Sequence, residues 1–136
     1  REMLREVTEI ESIGDSCYNL ARTINRKRRG SIDFTEKQYE HIHQMFGLTD
    51  SALTQMIALV EDVHHTVDVN KSFNIENEIN NYRSQLKNQN IIDVNNKEYS
   101  YQMGIHYMDI IGECEKLGDY VVNVVEAHSD VKEKKA

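Results

Sequence analysis

Glu11-Ser-Ile-Gly-Asp15-Ser-Cys-Tyr-Asn19 is the stretch that decides the fold, because it returns later in the chain as Glu115-Lys-Leu-Gly-Asp119-Tyr-Val-Val-Asn123. Both copies keep the first acid, the Gly-Asp pair and the asparagine at the same spacing. Apolar residues around each copy recur every three or four positions, which places them on one stripe of an α-helix. One helical pattern is therefore used twice.

Each copy carries a Glu and an Asp four residues apart, so both side chains point the same way from a helix. These four residues, Glu11, Asp15, Glu115 and Asp119, are the candidate metal ligands, because paired carboxylates bind hard or borderline cations. A bound ion needs about four to six donors, so a neighbouring helix would have to supply more acids or histidines. The alternative is a solvated or ion-paired helix face, the commoner role of such charges.

Length and composition favour a single all-helical domain. The chain has 136 residues and no proline, and its apolar positions keep helical spacing over long windows. A formal net charge of −7 argues against a nucleic-acid partner, because phosphate contacts need a basic surface. No stretch approaches the roughly 18 consecutive apolar residues of a membrane span, so we predict no direct membrane span in this chain.

The first two predicted helices are long. The first covers residues 1–29 and ends before Gly30, which we expect to be a left-handed cap. The second follows Thr35 as N-cap and continues along its apolar positions to Val67. The chain opens with Arg1 and has no cap residue in front of the first stripe, so we expect it to be a piece of a longer protein.

A shorter third helix is predicted around Ile75 to Leu86, before an asparagine-rich loop over 88–96. The fourth helix is predicted over 97–128, and residues 129–136 are expected to form a charged tail. Helices joined by short connections pack antiparallel to their neighbours. The sequence therefore predicts an all-α, up-down bundle of four helices, with residues 1–128 as one domain.

Small residues also lie on the repeated stripes. Gly14 and Gly118 each cost about 1 kcal/mol relative to alanine inside a helix, a cost usually explained by close approach of a neighbouring helix. Cys17 and Cys114 are interpreted as small core residues rather than as a disulfide, which favours a reducing compartment.

The doubled motif Glu-x-[Ile/Leu]-Gly-Asp-x-x-x-Asn resembles the signature of the PhoU family of phosphate-regulatory proteins, whose two halves each carry it. The resemblance implies that residues 1–29 are the last helix of a first three-helix repeat and that the rest of the bundle is the second repeat. Around Met3 to Arg28 the sequence is most similar to the PhoU-type domain at the cytosolic end of bacterial sodium/phosphate cotransporters.

The resemblance implies a non-enzymatic domain on the cytoplasmic side of the inner membrane that regulates or supports phosphate transport. Its expected partners are the transmembrane part of the same transporter and, as a homodimer, a second copy of itself. The alternative is a fragment of a free-standing PhoU-type regulator of phosphate uptake. The two differ in what precedes the chain, which is transmembrane helices in one case and another helical repeat in the other.

In PhoU proteins, acid pairs on the signature helix and an Asp-x-x-x-Asp pair on the preceding helix bind clusters of metal ions. The resemblance therefore implies divalent or iron ions at the two acid pairs named above. For the second pair, the expected partner segment is Asn70 to Asn74, where asparagines stand in place of acids. Neutral amides supply no charge and bind cations less tightly than carboxylates. The partner helix of the first pair is expected upstream of this chain.

A function of another class, a carboxylate-bridged metal enzyme, is suggested by Glu40-x-x-His43 and Glu61-x-x-His64, which match the spacing of di-iron bundles. If both motifs lie on the second helix, they are roughly 31 Å apart at 1.5 Å per residue and cannot share one site. We interpret these histidines, with His41 and His65, as surface or rim residues. No Ser-His-Asp, Cys-His or phosphate-loop arrangement is present, so no catalytic residue is predicted.

Overall fold

The computed structural model describes residues 2–29, 33–62, 64 and 66–135, and the side chains of 4–24, 33–62, 64 and 66–129. Its four helices are α1 (Glu2–Arg29), α2 (Glu36–Val60), α3 (Asn70–Asn95) and α4 (Tyr101–Lys135). The described residues contain no strand, which confirms the predicted all-α class. Within the same ranges, none of the helices has the length and apolarity that crossing a membrane requires.

The start of α2 is the one that the sequence predicts. The backbone N–H of Gln38 donates to Thr35 Oγ1 at 3.1 Å, and the backbone N–H of Thr35 donates to Gln38 Oε1 at 3.0 Å. This reciprocal capping box satisfies backbone donors that the first helical turn leaves without a partner. The cap predicted at Gly30 lies outside the described residues.

The end of α2 differs from the prediction, since the helix stops at Val60 and not at Val67. The apolar spacing of the sequence continues past Val60. The Asp62 carboxylate, however, binds donors of residues that would otherwise continue the helix. It accepts hydrogen bonds from the Val67 N–H at 2.8 Å and from the Thr66 hydroxyl at 3.2 Å. A short polar side chain that bonds local backbone in this way favours a turn over a continued helix.

α3 is longer than predicted, because it continues to Asn95 through the stretch 88–96 that we expected to be a loop. Asparagine is a poor helix former, but its propensity is a weak prior. Here the stretch has tertiary partners. Asn90 Oδ1 accepts a hydrogen bond from Tyr99 Oη at 2.6 Å, and Val94 packs directly against Gly104 of α4. Packing of this kind supplies most helical stability in proteins.

α4 is also longer than predicted. It begins at Tyr101, after a tight turn in which Lys97 has a φ of 60°, and it continues to Lys135 instead of ending near residue 128. Near residue 126 it still lies along α1, where Arg5 pairs with Glu126 at 3.3 Å. The expected charged tail is thus helical as far as the structure describes it. The domain boundary at residue 128 stays a prediction.

α4 is the central helix of the bundle. It packs against α1 on one side and against α2 and α3 on the other, and among the described residues no Cα of α1 comes within 8 Å of α2 or α3. The most deeply buried side chains come mainly from α4: Met45, Ile79, Ile110, Ile111, Cys114, Leu117, Val121, Val124 and Val125. The predicted four-helix bundle is confirmed, with α4 as the helix that every other helix contacts.

Candidate functional site

The two copies of the repeated motif meet where α1 and α4 lie antiparallel. Asn19 Nδ2 donates to Glu113 Oε1 at 3.4 Å, and Asn123 Nδ2 donates to Glu9 Oε2 at 3.3 Å. Glu9 and Glu113 are equivalent positions of the two copies, as are Asn19 and Asn123. Each copy therefore donates from its asparagine to a glutamate of the other copy. This exchange is what two equivalent helices produce when they pack antiparallel.

Glu113 is the most connected acid of this interface. Ser16 Oγ donates to Glu113 Oε1 at 2.8 Å, and Lys116 Nζ lies 3.7 Å from Glu113 Oε2. Only 13% of the Glu113 side chain is exposed. A half-buried acid that has all these partners fixes the register of α1 on α4.

Sequence reasoning missed Glu9 and Glu113 and gave the motif asparagines no role. A signal for them was present, because both copies place a second glutamate two residues before the motif acid. That repeated Glu-x-Glu spacing could have marked the interface.

The two motif glycines have different surroundings. A Cβ atom on Gly118 would lie 3.2 Å from Ile79 Cδ1 of α3, whereas a Cβ atom on Gly14 would meet nothing within 4 Å. The close helix approach that we expected for both glycines is therefore observed at Gly118 and not at Gly14. The reason is that α3 packs on α4, while α1 has no comparable neighbour on that face within the described residues.

The two acid pairs differ in the same way. Glu11 and Asp15 are both exposed on α1. Glu115 is half-buried, and Asp119, although exposed, lies next to Glu76 of α3. The structure therefore surrounds only the second predicted pair with side chains of another helix.

Glu76 of α3 is the acid that the structure places beside Asp119. Asn80, one turn further along α3, donates from Nδ2 to Glu76 Oε1 at 2.5 Å. The expected partner segment, Asn70 to Asn74, does not lie beside the second acid pair, so that prediction is wrong. Both asparagines are exposed in the first turns of α3, away from this contact. The resemblance to PhoU proteins implied that segment, whereas the antiparallel register of α3 and α4 brings Glu76 beside Asp119.

The surroundings of Asp119 raise the pKa of its carboxyl to about 6. The largest cause is partial burial, which disfavours the charged form. The charges of Glu115 and Glu76 and a hydrogen bond with Glu76 act in the same direction. Asp119 therefore keeps its proton to a higher pH than an isolated aspartate does.

Arg83 of α3 completes this face of the bundle. Its Nε lies 3.5 Å from Glu115 Oε1, and 32% of the Arg83 side chain and 25% of the Glu115 side chain are exposed. A cleft of about 360 Å³ opens next to this ion pair between α1, α3 and α4, and Arg22 of α1 also lines it. Solvent can thus reach the pair from one side.

In the described residues, the two Glu-x-x-His motifs do not form a di-iron site. Glu40 and His43 of α2 are exposed. The second motif does not lie on α2, as we had expected, because Glu61 is the C-cap of that helix and His64 follows it in the connection. His65 lies outside the described residues.

One of the histidines predicted as surface or rim residues takes part in packing. His41 is half-buried, and its Nδ1 lies 3.0 Å from the hydroxyl of the buried Tyr107. Burial is the main reason that the pKa of His41 is lowered and that the pKa of Tyr107 is raised. This pair belongs to the core and forms no recognisable catalytic arrangement.

The cysteines fit the core interpretation only in part. Both are free. Cys114 is fully buried, and burial raises the pKa of its thiol to about 11. Cys17 is exposed, contrary to the prediction, because the face of α1 that carries it has no covering helix in the described residues.

Comparison with known proteins gives a family match over residues 42–127, to the model of the PhoU domain. Two curated proteins of Streptococcus pneumoniae, from strains TIGR4 and R6, are similar over 124 residues at 23% identity. Both carry the name phosphate-specific transport system accessory protein PhoU homolog. The similar region is 91% of this chain and 56% of each relative, so the chain spans about half the length of these relatives. No solved structure gives a significant match.

Proposed function

The chain belongs to the PhoU domain family, and from this membership we propose that it regulates phosphate transport through contact with a transport protein. The observation that carries the proposal is the family match over α2 to α4, joined to the doubled motif that packs α1 on α4. The role is one of interaction and not of catalysis.

Of the two versions of this role, the comparisons favour a fragment of a free-standing regulator. The relatives from S. pneumoniae are named as accessory proteins of a phosphate-specific transport system. The version in which this chain is the cytosolic end of a sodium/phosphate cotransporter has no support among them. In either version, the domain would act at the cytoplasmic side of the inner membrane on the transmembrane part of a transporter.

The proposed role does not need a bound metal ion. The predicted ligands stand in two groups, since Glu11 and Asp15 are exposed while Glu115 and Asp119 face α3. Neither group supplies enough ligands, since a bound divalent ion usually requires about four to six donor atoms. The metal-enzyme alternative has still less support, because Glu40 and His43 are exposed and, over the described ranges, no three His, Cys, Asp or Glu side chains could hold a metal ion.

The apolar face of α1 favours a further helical partner. Leu4, Val7 and Ile10 are 70%, 52% and 47% exposed. The equivalents of Val7 and Ile10 on α4, Ile111 and Cys114, are fully buried. Because α2 and α3 cover that face of α4, we propose that a helical hairpin of the same kind covers α1 in the longer protein, as the two-repeat interpretation requires. The S. pneumoniae relatives are longer than this chain, since the similar region is 56% of each.

Complementation tests the regulatory role. The complete gene product that contains this chain would be expressed in a bacterium that lacks its own PhoU protein, with an empty plasmid as control. We expect phosphate uptake in phosphate-rich medium to fall back to the level of the parent strain. Unchanged uptake, with the protein shown to be folded and present, would refute the proposed role.

Thermal unfolding tests the covered face of α1. Val7→Asp should leave the Tm of the 136-residue chain nearly unchanged but lower the Tm of the complete gene product, because burying an unpaired charge is costly. Lys87→Asp, at an exposed polar position of α3, is the matched control and should be tolerated in both proteins. Equal effects of Val7→Asp in both proteins would show that α1 stays uncovered.

A further inference from the structure

The acid face between α3 and α4 contains a cation of its own. Glu76, Asn80 and Arg83 follow each other on α3 at spacings of four and three residues, so they share one side of the helix. Opposite them on α4, Asp119 lies beside Glu76 and Glu115 lies beside Arg83. Three carboxylates, one amide and one guanidinium therefore lie along this helix contact, with Glu76 next to Asp119 and Arg83 next to Glu115.

Arg83 is placed to neutralise this face. Its Nε is 3.5 Å from Glu115 Oε1 and is shielded from solvent, although other parts of the side chain are exposed. An arginine guanidinium stays charged at any pH that the fold tolerates. The Arg83 guanidinium thus places a permanent positive charge where a cation bound to Glu115 would lie.

The donor set does not fit a metal cluster. Such clusters need several charged oxygens that converge on each ion. Glu76 already accepts a hydrogen bond from the Asn80 amide. In the part of the chain that the structure describes, no three His, Cys, Asp or Glu side chains converge closely enough to hold an ion. A divalent cation at Glu115 would also be repelled by Arg83.

We propose that Arg83 is the resident cation of the α3–α4 acid face and takes the place of a metal ion at Glu115 in this protein. The inference goes beyond the regulatory role and departs from what the resemblance to PhoU proteins implies about metal. Its consequence is that the contact between α3 and α4 forms without any supply of metal.

Manganese binding to the purified chain tests the proposal. Equilibrium dialysis against Mn²⁺, with the free ion measured by electron paramagnetic resonance, would compare the wild type with Arg83→Gln. Lys116→Gln is the matched control, since it removes one positive charge from an exposed side chain that pairs with Glu113 on the same helix as Glu115. Circular dichroism checks that each variant is folded, and Arg83→Met serves as a second variant if Arg83→Gln is not.

We expect the wild type and Lys116→Gln to bind Mn²⁺ equally weakly and below one ion per chain, and Arg83→Gln to bind it roughly tenfold more tightly, because a nearby positive charge has been removed. Adding Glu115→Gln to Arg83→Gln should abolish the gain. Stoichiometric binding by the wild type would overturn the proposal. Failure of both Arg83 variants to gain affinity would also overturn it, because the arginine would then not be what keeps the ion out.

Discussion

α1 and α4 carry the same motif in different surroundings, and the difference separates what the motif does from what its neighbours do. On both helices, the motif asparagine and the first glutamate of the Glu-x-Glu pair form hydrogen bonds across the α1–α4 interface. Within the described residues, the glycine and the acid pair meet another helix only on α4. The shared part of the motif therefore builds the interface between the copies, while the acids acquire a chemical environment only where α3 covers them.

The largest effect expected from this comparison is at two equivalent apolar positions. Ile111 of α4 is fully buried, whereas Val7 of α1 is 52% exposed. Ile111→Ala should lower the free energy of unfolding by about 2 to 5 kcal/mol, because it leaves a cavity in the core. Val7→Ala should change it by less than about 0.5 kcal/mol. Urea unfolding of the 136-residue chain measures both, and similar losses at the two positions would contradict the asymmetry.

The glycines give the next largest difference. Gly14→Ala should raise the free energy of unfolding by about 1 kcal/mol, because alanine is the better helix former and the new methyl group meets open space. Gly118→Ala should gain less or lose stability, since its methyl group would press on Ile79. The same urea experiment compares them. A gain at Gly118 as large as that at Gly14 would mean that Ile79 does not constrain the helix contact.

The reciprocal hydrogen bonds can be tested by double-mutant cycles. Asn123→Ala should cost about 0.5 to 1.5 kcal/mol, the usual net contribution of one hydrogen bond. Asn19→Ala should cost less, because Asn19 is the more exposed of the two and its bond to Glu113 is slightly longer. A cycle of Asn123→Ala with Glu9→Ala measures the coupling between these residues. Strictly additive losses would show that their contact contributes nothing to the interface.

The smallest expected effect concerns pH. The folded protein keeps a proton on Asp119 up to about pH 6, whereas the unfolded chain loses it near the ordinary value of 3.8. The folded state binds more protons between these values, so the contribution of Asp119 to stability falls as the pH rises from about 4 to about 6.

Asp119→Asn should accordingly raise the Tm above about pH 6, and its advantage over the wild type should shrink as the pH falls toward 4. Asp15→Asn, at the equivalent exposed position, controls for the loss of one negative charge. Tm measured across this range by circular dichroism checks the prediction. A Tm difference between Asp119→Asn and wild type that does not vary with pH would contradict it.

Several features followed from local spacing and were therefore predictable. The helical class and the N-cap at Thr35 depend on residues close to one another in the chain, and the equivalence of α1 and α4 follows from the same local spacing in two distant copies of one motif. The ends of α2 and α3 were predicted wrongly, because hydrogen bonds of Asp62 and Asn90 decided them. These hydrogen bonds involve polar partners, and the spacing of apolar residues gives no information about them.

For the candidate site, the sequence by itself determined the duplicated acids, the glycines and the asparagines, since they recur at fixed intervals. Only the tertiary structure decided that Glu76 and Arg83 stand opposite the second acid pair and that Glu11 and Asp15 face solvent. The physical reason is that helical periodicity fixes which side of a helix a residue occupies. The neighbour on that side is selected by the packing of whole helices against each other.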